Sequence, residues 1–379
     1  MRDRPFARFA VRRWLLLAAG LCTGALAGSS PASSPASSPA SSSASSPDYA
    51  AVRPGVAVDP VLDAGAHPDF RTEWWYVTGW LSEAGGRESA FQITFFRTRP
   101  AGASANPSRF AARELVIAHA ALLVADGSGQ WHAEKIARSG FGLAHADADR
   151  LSVAIDDWQL TAAGPELSAS AGDAAGGFAL RLRGGSALLN GVDGFSQKGP
   201  DPASASYYVS VPQLVVEGTV RHGTVSRAVT GRAWLDHEWS SRFLDPAAVG
   251  WDWVGLNLDD GGALVAFRLR TAANRAHYAG ATWRRADGVV RHFGPDEVRF
   301  VPGRVWRSPR TGIAYPVAWH VAVGETTVDL VPFTDDQEAD TRRTTGAVYW
   351  EGAVRAAGPK LTGRGFLELT GYGTPLVLP

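Results

Sequence analysis

Short runs of apolar and β-branched residues, separated by turns that contain glycine or proline, dominate the chain from about residue 49 onward. These runs have the length of strands, and helical periodicity is scarce. The segments 84–87 and 259–262 have the glycine-rich composition of hairpin turns. The pattern predicts many short antiparallel strands, as in a sandwich or a barrel. The clearest predicted strands are 73–81, 91–97, 116–124, 151–160, 178–183, 251–258 and 264–269.

Two linked sequence blocks, and the tryptophan-rich segments that precede them, occur twice in the same order along the chain. Because several linked matches in one order are improbable by chance, they indicate a duplicated β unit. We therefore predict an all-β fold of two tandem antiparallel β-barrel domains, at residues 49–240 and 241–379. The matching segments are 74–77 with 251–254, 217–221 with 351–355, and 230–236 with 362–368.

The first 48 residues have the composition of an export signal followed by a linker. Arginines precede an apolar run at 14–21, and small residues suitable for cleavage end at Ala27, which predicts a signal peptide at 1–27. The Ser/Pro/Ala repeats of 28–48 predict a disordered linker. Arg12 and Arg13 leave both the Sec and the twin-arginine routes open. We predict an exported protein of the periplasm or cell envelope.

Composition narrows the function classes. The single cysteine, Cys22, follows Leu21 rather than a small residue, which disfavours a lipoprotein anchor. Lys+Arg and Asp+Glu both number 37 and no basic stripe occurs, which argues against a nucleic-acid partner. The histidines lack metal-ligand spacing, and we predict no metal and no cofactor. The 14 tryptophans suit barrel interiors or the walls of a ligand cavity as well as ordinary cores.

Aromatic-rich motifs cover the chain from His67 to Tyr372: HPDF at 67–70, EWWYVTG at 73–79, TFFR at 94–97, WLDHEW at 234–239, GWDW at 250–253, YWEG at 349–352 and GFLELTGY at 365–372. Together they resemble the AttH-type family, a lipocalin-like group that also contains the carotenoid 1,2-hydratases. The resemblance implies two lipocalin-like barrels that bind a lipophilic small molecule. It also implies ABC transporter components as partners, and a membrane surface is a further partner to consider.

The WLDHEW motif contains the catalytic candidates Asp236, His237 and Glu238. The resemblance implies that Asp236 corresponds to the aspartate of the hydratases, although the chain continues with the AttH-type His237-Glu238. Alternation along a strand places Trp234, Asp236 and Glu238 on one face and His237 on the other. In an apolar cavity, a protonated Asp236 can donate its proton to a C=C bond while an indole stabilises the cation.

The alternative is that Asp236 and Glu238 are structural and form ion pairs with Arg232 or Arg242. Other candidate ligand-binding residues are Trp234, Tyr208, Lys198, Glu73 and Asp252. Lys198, in a loop, either binds an anionic headgroup or is simply solvated.

Two functions follow from these residues together with what the family resemblance implies. The first is an exported carrier of a lipophilic molecule, such as an isoprenoid or another lipid, which works alongside an ABC export system. The second is a hydro-lyase that adds water to an isoprenoid C=C bond with Asp236 as general acid. A salt bridge between Asp236 and an arginine would exclude the second function, because a paired carboxylate stays ionised.

Overall fold

The computed structural model describes residues 49–102, 105–124 and 129–376. The predicted signal peptide and linker lie outside the described residues. Within them the chain is built mainly of antiparallel strands, and a short 3-10 helix spans Leu62–Ala64. The all-β prediction is therefore confirmed. No helix in the described ranges has the length and apolar character needed to cross a membrane.

The first thirteen strands form one sheet. They are β1 Thr72–Glu83, β2 Glu88–Thr98, β3 Leu115–Val124, β4 Gln130–Arg138, β5 Ala144–Ala146, β6 Ser152–Ile155, β7 Trp158–Ala163, β8 Glu166–Gly172, β9 Gly176–Arg183, β10 Leu188–Leu189, β11 Phe195–Gln197, β12 Ala205–His222 and β13 Val225–Arg242. Their spatial order is β4-β3-β2-β1-β13-β12-β9-β8-β7-β6-β5, and both β10 and β11 pair with β12.

This first sheet curls so that its two ends meet. Trp131 of β4 packs against Trp158 of β7 with ring centroids 6.2 Å apart. Lys135 of β4 forms an ion pair of 2.7 Å with Asp156, which lies between β6 and β7. One apolar core fills the enclosed space and contains buried residues from nearly every strand. The first sheet is thus a nearly closed barrel.

The remaining strands follow after Arg242. They are β14 Gly250–Leu258, β15 Ala263–Arg270, β16 Ala276–Arg284, β17 Val290–Phe293, β18 Val298–Pro302, β19 Val305–Arg307, β20 Ala314–Pro316, β21 Trp319–Val323, β22 Thr326–Pro332, β23 Glu338–Thr341, β24 Ala347–Ala357 and β25 Thr362–Leu369. The second sheet has the order β17-β16-β15-β14-β25-β24-β22-β21-β18, with β23 on β24, and β19 and β20 form a separate pair. It has its own apolar core.

The central strands of both sheets are buried on both faces. All eight residues of β15 are buried, and so are nine of the twelve residues of β1. Alternate side chains cannot all enter one core, because successive residues of a strand point to opposite faces. The outer faces instead pack against each other in a third apolar cluster, which includes Tyr76, Trp234, Trp253 and Phe267.

The predicted hairpin turns are confirmed, since Gly85, Gly86 and Gly261 have positive φ at the β1–β2 and β14–β15 connections. The predicted strand 151–160 is wrong as one element. It divides into β6 and β7 at Asp156, which has a φ of 54°. Aspartate tolerates this left-handed conformation better than most residues, and the turn reverses the chain.

The strand pairings bear out two of the three segment matches in the predicted repeat. Asp236 lies opposite Tyr76 of β1, and Glu368 lies opposite Trp253 of β14, as the matched segments require. The 217–221 match with 351–355 is wrong as a structural equivalence. Glu217 pairs with Thr230, whereas Glu351 pairs with Glu368.

Candidate active site

A cavity of about 310 Å³ lies between the two sheets. Its volume falls at the lower end of the range for small-molecule pockets. Strands from both sheets line it, so the cavity is separate from the apolar core inside the first sheet and from that of the second sheet. Its wall is mostly apolar and aromatic, and its tryptophan and phenylalanine rings are Trp74, Phe96, Phe243, Trp251, Trp253 and Phe267.

Asp236 of β13 is buried in the wall of this cavity. Its Oδ1 accepts hydrogen bonds from Trp234 Nε1 at 2.6 Å and Ser210 Oγ at 2.5 Å, and its Oδ2 accepts one from Tyr208 Oη at 2.8 Å. No arginine forms an ion pair with it in the described residues. Burial raises the pKa of Asp236 to about 7, although the three donors act to lower it. The group can therefore hold or release a proton near neutral pH.

Glu238 shares this face of β13 and pairs with a buried lysine. Lys198 Nζ lies 2.8 Å from Glu238 Oε1, and Ser206 donates a hydrogen bond to the same oxygen. Lys198 is only 2% exposed, so the alternative of a solvated lysine is wrong. Burial raises the pKa of Glu238 and lowers that of Lys198, while their mutual attraction opposes both shifts.

The predicted arginine partners of Asp236 and Glu238 are also wrong. Arg242 forms an ion pair with Asp201 at 2.8 Å, and Arg232 donates a hydrogen bond to the Gln213 carbonyl. Alternation places both arginines on the same face of β13 as the acids, but each arginine is four residues from the nearer acid, roughly 13 Å along an extended strand, and bonds to a nearer partner instead.

A second pair of acids comes from the other sheet. Glu351 of β24 and Glu368 of β25 are cross-strand partners, and both line the cavity. Glu368 Oε2 accepts a hydrogen bond of 3.0 Å from Trp251 Nε1. Burial raises the pKa of Glu368 to about 7. Burial and the nearby Glu368 carboxylate together raise the pKa of Glu351 well above its ordinary value.

His119 of β3 occupies the wall between Tyr349 and Thr344. Its Nδ1 lies 3.0 Å from Tyr349 Oη, and its Nε2 lies 3.0 Å from Thr344 Oγ1. Burial, and to a lesser degree repulsion from His132, lower the pKa of His119 to about 3. The ring is therefore neutral at physiological pH and bridges the two sheets through hydrogen bonds.

His237 points away from the cavity, as the alternation predicts. Its Nε2 lies 2.8 Å from Glu73 Oε1, and its ring stacks on Trp75 at 4.8 Å. His67 Nδ1 lies 2.7 Å from the same oxygen, so these three residues bring together atoms that could ligate a metal. However, Arg97 Nε already lies 2.9 Å from Glu73 Oε2, which makes this cluster a buried ion-pair network.

The structure separates the remaining candidates. Tyr208 and Lys198 line the cavity, and Trp234 is buried directly beside it, where it bonds to Asp236. Glu73 and Asp252 do not line it. Asp252 Oδ2 lies 2.5 Å from Arg268 Nε and 3.2 Å from Arg270 Nε.

The sequence matches the AttH-like family over residues 51–372. The chain belongs to this family. A crystal structure of a putative AttH protein from Nitrosomonas europaea is 45% identical, with a TM-score of 0.80 over 85% of this chain and 99% of that one. No match was found among curated proteins.

Two more distant structures share the fold of this AttH-like protein. Kievitone hydratase from Nectria haematococca has 16% identity and a TM-score of 0.65, over 86% of this chain and 96% of that one. CghA with Sch210972 has 13% identity and a TM-score of 0.50, over 84% of this chain and 96% of that one. The predicted family resemblance is confirmed.

Sequence reasoning missed Glu351, Tyr76 and Trp253 as residues of the AttH-like site, and it regarded Glu368 only as part of the repeat. Each of them belongs to a recognised motif. A signal was present in the alternation, because Tyr76 and Trp253 occupy matching positions opposite the acids Asp236 and Glu368.

Proposed function

We propose that this AttH-like protein binds a lipophilic small molecule between its sheets and adds water to a C=C bond of that molecule, with Asp236 as the general acid. One observation carries the proposal: a buried carboxyl group with a pKa of about 7 and no arginine partner lines an apolar cavity. An enzyme needs such tuning for an acid that works at neutral pH.

The chemistry has three balanced changes. The Asp236 proton forms a new C–H bond with one alkene carbon, which leaves a carbocation at the other carbon. The oxygen of a water molecule bonds to that carbon, and the protonated alcohol then gives one proton to a carboxylate of the cavity, so that the net change is the addition of one water molecule. The indole rings of Trp251 and Trp253 line the same cavity and can stabilise the cation through their π faces. The hydratase among the structures of similar fold supports this class of reaction.

A second candidate is a carrier that binds the same kind of molecule without changing it. The observation that favours it is the set of donors on Asp236, because Trp234, Ser210 and Tyr208 together also suit a permanently ionised carboxylate. This proposal includes a location in the cell envelope, reached through an export signal at 1–27 and a linker at 28–48. It also includes lipocalin-like barrels at 49–240 and 241–379, and contact with ABC transporter components or a membrane surface.

The test uses the full chain, water enriched in oxygen-18 and farnesol, an acyclic isoprenoid. We expect a heavy-oxygen alcohol from the wild type and none from Asp236→Asn. The matched control is Asp329→Asn, which makes the same change on an exposed side chain of β22. Equal farnesol binding by all three proteins without heavy-oxygen uptake would instead establish the carrier. If the wild type neither binds nor converts farnesol, both candidate functions are contradicted.

A further inference from the structure

We propose that Glu351 and Glu368 form a second acid–base centre of the cavity, which holds the reacting water together with Tyr76 and accepts its proton. This inference rests on the proposed hydration and adds residues to it. It assigns the base that hydration requires once Asp236 has acted as the acid.

The two glutamates have the geometry of a shared-proton pair. They lie directly opposite each other on β24 and β25, on the face that lines the cavity. No ion pair joins either glutamate to a cation within the described part of the chain. Two carboxylates side by side in a poorly solvated site cannot both be ionised at low cost. One proton is therefore held by the pair at neutral pH, and one carboxylate remains free to act as a base.

Two buried polar atoms indicate where a water molecule binds. Glu351 Oε1 and Tyr76 Oη make no hydrogen bond of ordinary geometry with a described residue, although the two side chains lie close enough for a weak hydrogen bond to influence both of their pKa values. Their side chains are 6% and 7% exposed, and both line the cavity. Buried polar groups are rarely left unsatisfied in proteins. A water molecule between them would donate to Glu351 and accept from Tyr76, which leaves its second lone pair for the substrate.

The surrounding groups favour this assignment. Glu368 Oε2 is oriented by the Trp251 indole, so its position is fixed. Lys198 is paired with Glu238 and does not neutralise the glutamate pair. Tyr76 lies opposite Asp236 on the neighbouring strand, and its pKa is raised by burial and then by the charges of Glu351, Glu368 and Asp236. Tyr76 thus lies between the acid and the pair.

The proton balance closes within these residues. Asp236 gives its proton to the alkene, and the attacking water gives a proton to the ionised member of the glutamate pair. The pair is then fully protonated, and Asp236 is ionised. Transfer of one proton from the pair to Asp236, by way of the Tyr76 hydroxyl, restores the starting state. The net reaction is the addition of one water molecule, with no oxidation or reduction.

The first experiment requires no substrate. Infrared spectroscopy of the full chain measures the carbonyl stretch of protonated carboxyl groups as a function of pH. We expect one band of the pair at neutral pH that disappears in both Glu351→Gln and Glu368→Gln. Glu217→Gln, on an exposed glutamate of β12 paired with Arg181 and Arg183, should leave it unchanged. Full ionisation of both glutamates at neutral pH would overturn the inference.

The second experiment measures heavy-oxygen uptake into farnesol. We expect Glu351→Gln and Glu368→Gln to lower the rate by about 10²-fold or more at unchanged farnesol affinity, the usual scale of general acid–base catalysis. Tyr76→Phe gives the sharper test, because it removes one hydroxyl beside Glu351 and keeps the aromatic ring. A purely structural role of the hydroxyl predicts a lower free energy of unfolding with an unchanged rate. A water-binding role predicts a slower rate with an unchanged free energy of unfolding.

The outcomes separate this inference from the proposed function. Hydration that needs Asp236 but is unaffected by all three variants would overturn the second centre and leave the function standing. An inactive wild type would overturn the hydration together with the catalytic role of the pair, and the infrared titration would still decide whether the two glutamates share a proton. If a glutamine variant does not fold, Tyr76→Phe still decides whether a water is held there.

Discussion

Trp253 of the second sheet donates its indole N–H to the Tyr208 hydroxyl of the first sheet, with 2.9 Å between Nε1 and Oη. Tyr208 in turn donates its only hydroxyl proton to Asp236 at 2.8 Å. Because Trp253 occupies a lone pair of the hydroxyl oxygen, it directs the tyrosine proton toward the carboxylate. The candidate acid is therefore oriented by both sheets, and neither sheet alone forms the site.

Trp253→Phe should weaken both the site and the fold. The Tyr208 hydroxyl loses its donor and can rotate, so we expect farnesol hydration to slow by about 10-fold, equivalent to about 1.4 kcal/mol of barrier. The lost hydrogen bond and ring area should lower the free energy of unfolding by about 1–3 kcal/mol. Heavy-oxygen uptake and urea unfolding measure the two effects.

The control for this variant is Trp306→Phe, because Trp306 stacks on Tyr315 and does not line the cavity. We expect its hydration rate to equal that of the wild type. A Trp253→Phe protein with wild-type hydration would show that the hydrogen bond between the sheets does not orient the acid.

The buried ion pair of Lys198 and Glu238 should be destabilising when only one partner is removed. Lys198→Met leaves the Glu238 carboxylate in the cavity wall with Ser206 as its remaining partner. We expect the free energy of unfolding to fall by about 3–5 kcal/mol. The double variant Lys198→Met/Glu238→Gln should recover most of this loss, because no uncompensated charge remains. Urea unfolding of the two single variants and the double variant measures the coupling.

Lys135→Met serves as the matched control, because Lys135 makes its ion pairs with Asp156 and Asp157 at the surface. Exposed ion pairs contribute little. A Lys198→Met protein no less stable than Lys135→Met would contradict the description of Lys198 as a buried partner of Glu238.

The local sequence pattern predicted the strands and the face of the sheet to which each side chain points, because successive residues of a strand always point to opposite faces. It correctly grouped Trp234 with Asp236 and Glu238 and placed His237 on the opposite face. It missed the turn at Asp156, because Asp156 and Asp157 interrupt the apolar alternation without the glycine or proline that marked the other turns.

The location of the cavity could not be predicted in this way. Both faces of β1 and β15 are rich in apolar residues, so the sequence does not show which face lines a core and which face meets the other sheet. The roles of Lys198 and Glu351 depend on that long-range packing. Neither residue has a local signal that distinguishes a buried partner from a surface charge.

Glu73→Gln should affect stability rather than the site. Burial acts to raise the pKa of Glu73, but hydrogen bonds and charges from His237 and His67 outweigh it and hold the pKa well below its ordinary value. The stabilisation is present above the unfolded pKa of 4.5 and is lost as the pH falls below it. Glu73→Gln leaves the buried Arg97 without its closest carboxylate, so we expect a loss of about 3–5 kcal/mol at neutral pH.

Urea unfolding at neutral and acidic pH measures this loss, and the difference between Glu73→Gln and the wild type should shrink as the pH falls. The folded variant should bind farnesol with wild-type affinity, because Glu73 does not line the cavity. Weakened farnesol binding by a variant that remains folded would place Glu73 in the site after all.

His119 should make the protein less stable in mild acid. Its pKa is 6.5 in the unfolded chain and about 3 in the folded one, because burial disfavours the charged ring. Between these values the unfolded state binds a proton that the folded state does not. Stability therefore falls as the pH falls, by up to about 1.4 kcal/mol per pH unit. His119→Gln keeps a neutral hydrogen-bonding group and should remove this contribution.

This prediction is tested by the difference between wild type and His119→Gln, because the pH dependence of the wild-type free energy of unfolding also contains other groups. Asp236 and Glu368 have pKa values raised to about 7, so the folded state binds protons there that the unfolded state does not, and their contribution rises as the pH falls. These opposing contributions cancel when wild type and His119→Gln are compared by urea unfolding between about pH 7 and pH 5. His320→Gln, on the exposed His320–Asp329 pair, is the control. If the free energy of unfolding varies with pH in the same way for wild type and His119→Gln, the prediction fails. The buried ring would then be protonated in the folded protein, and its hydrogen bonds to Tyr349 and Thr344 could not be those of a neutral ring.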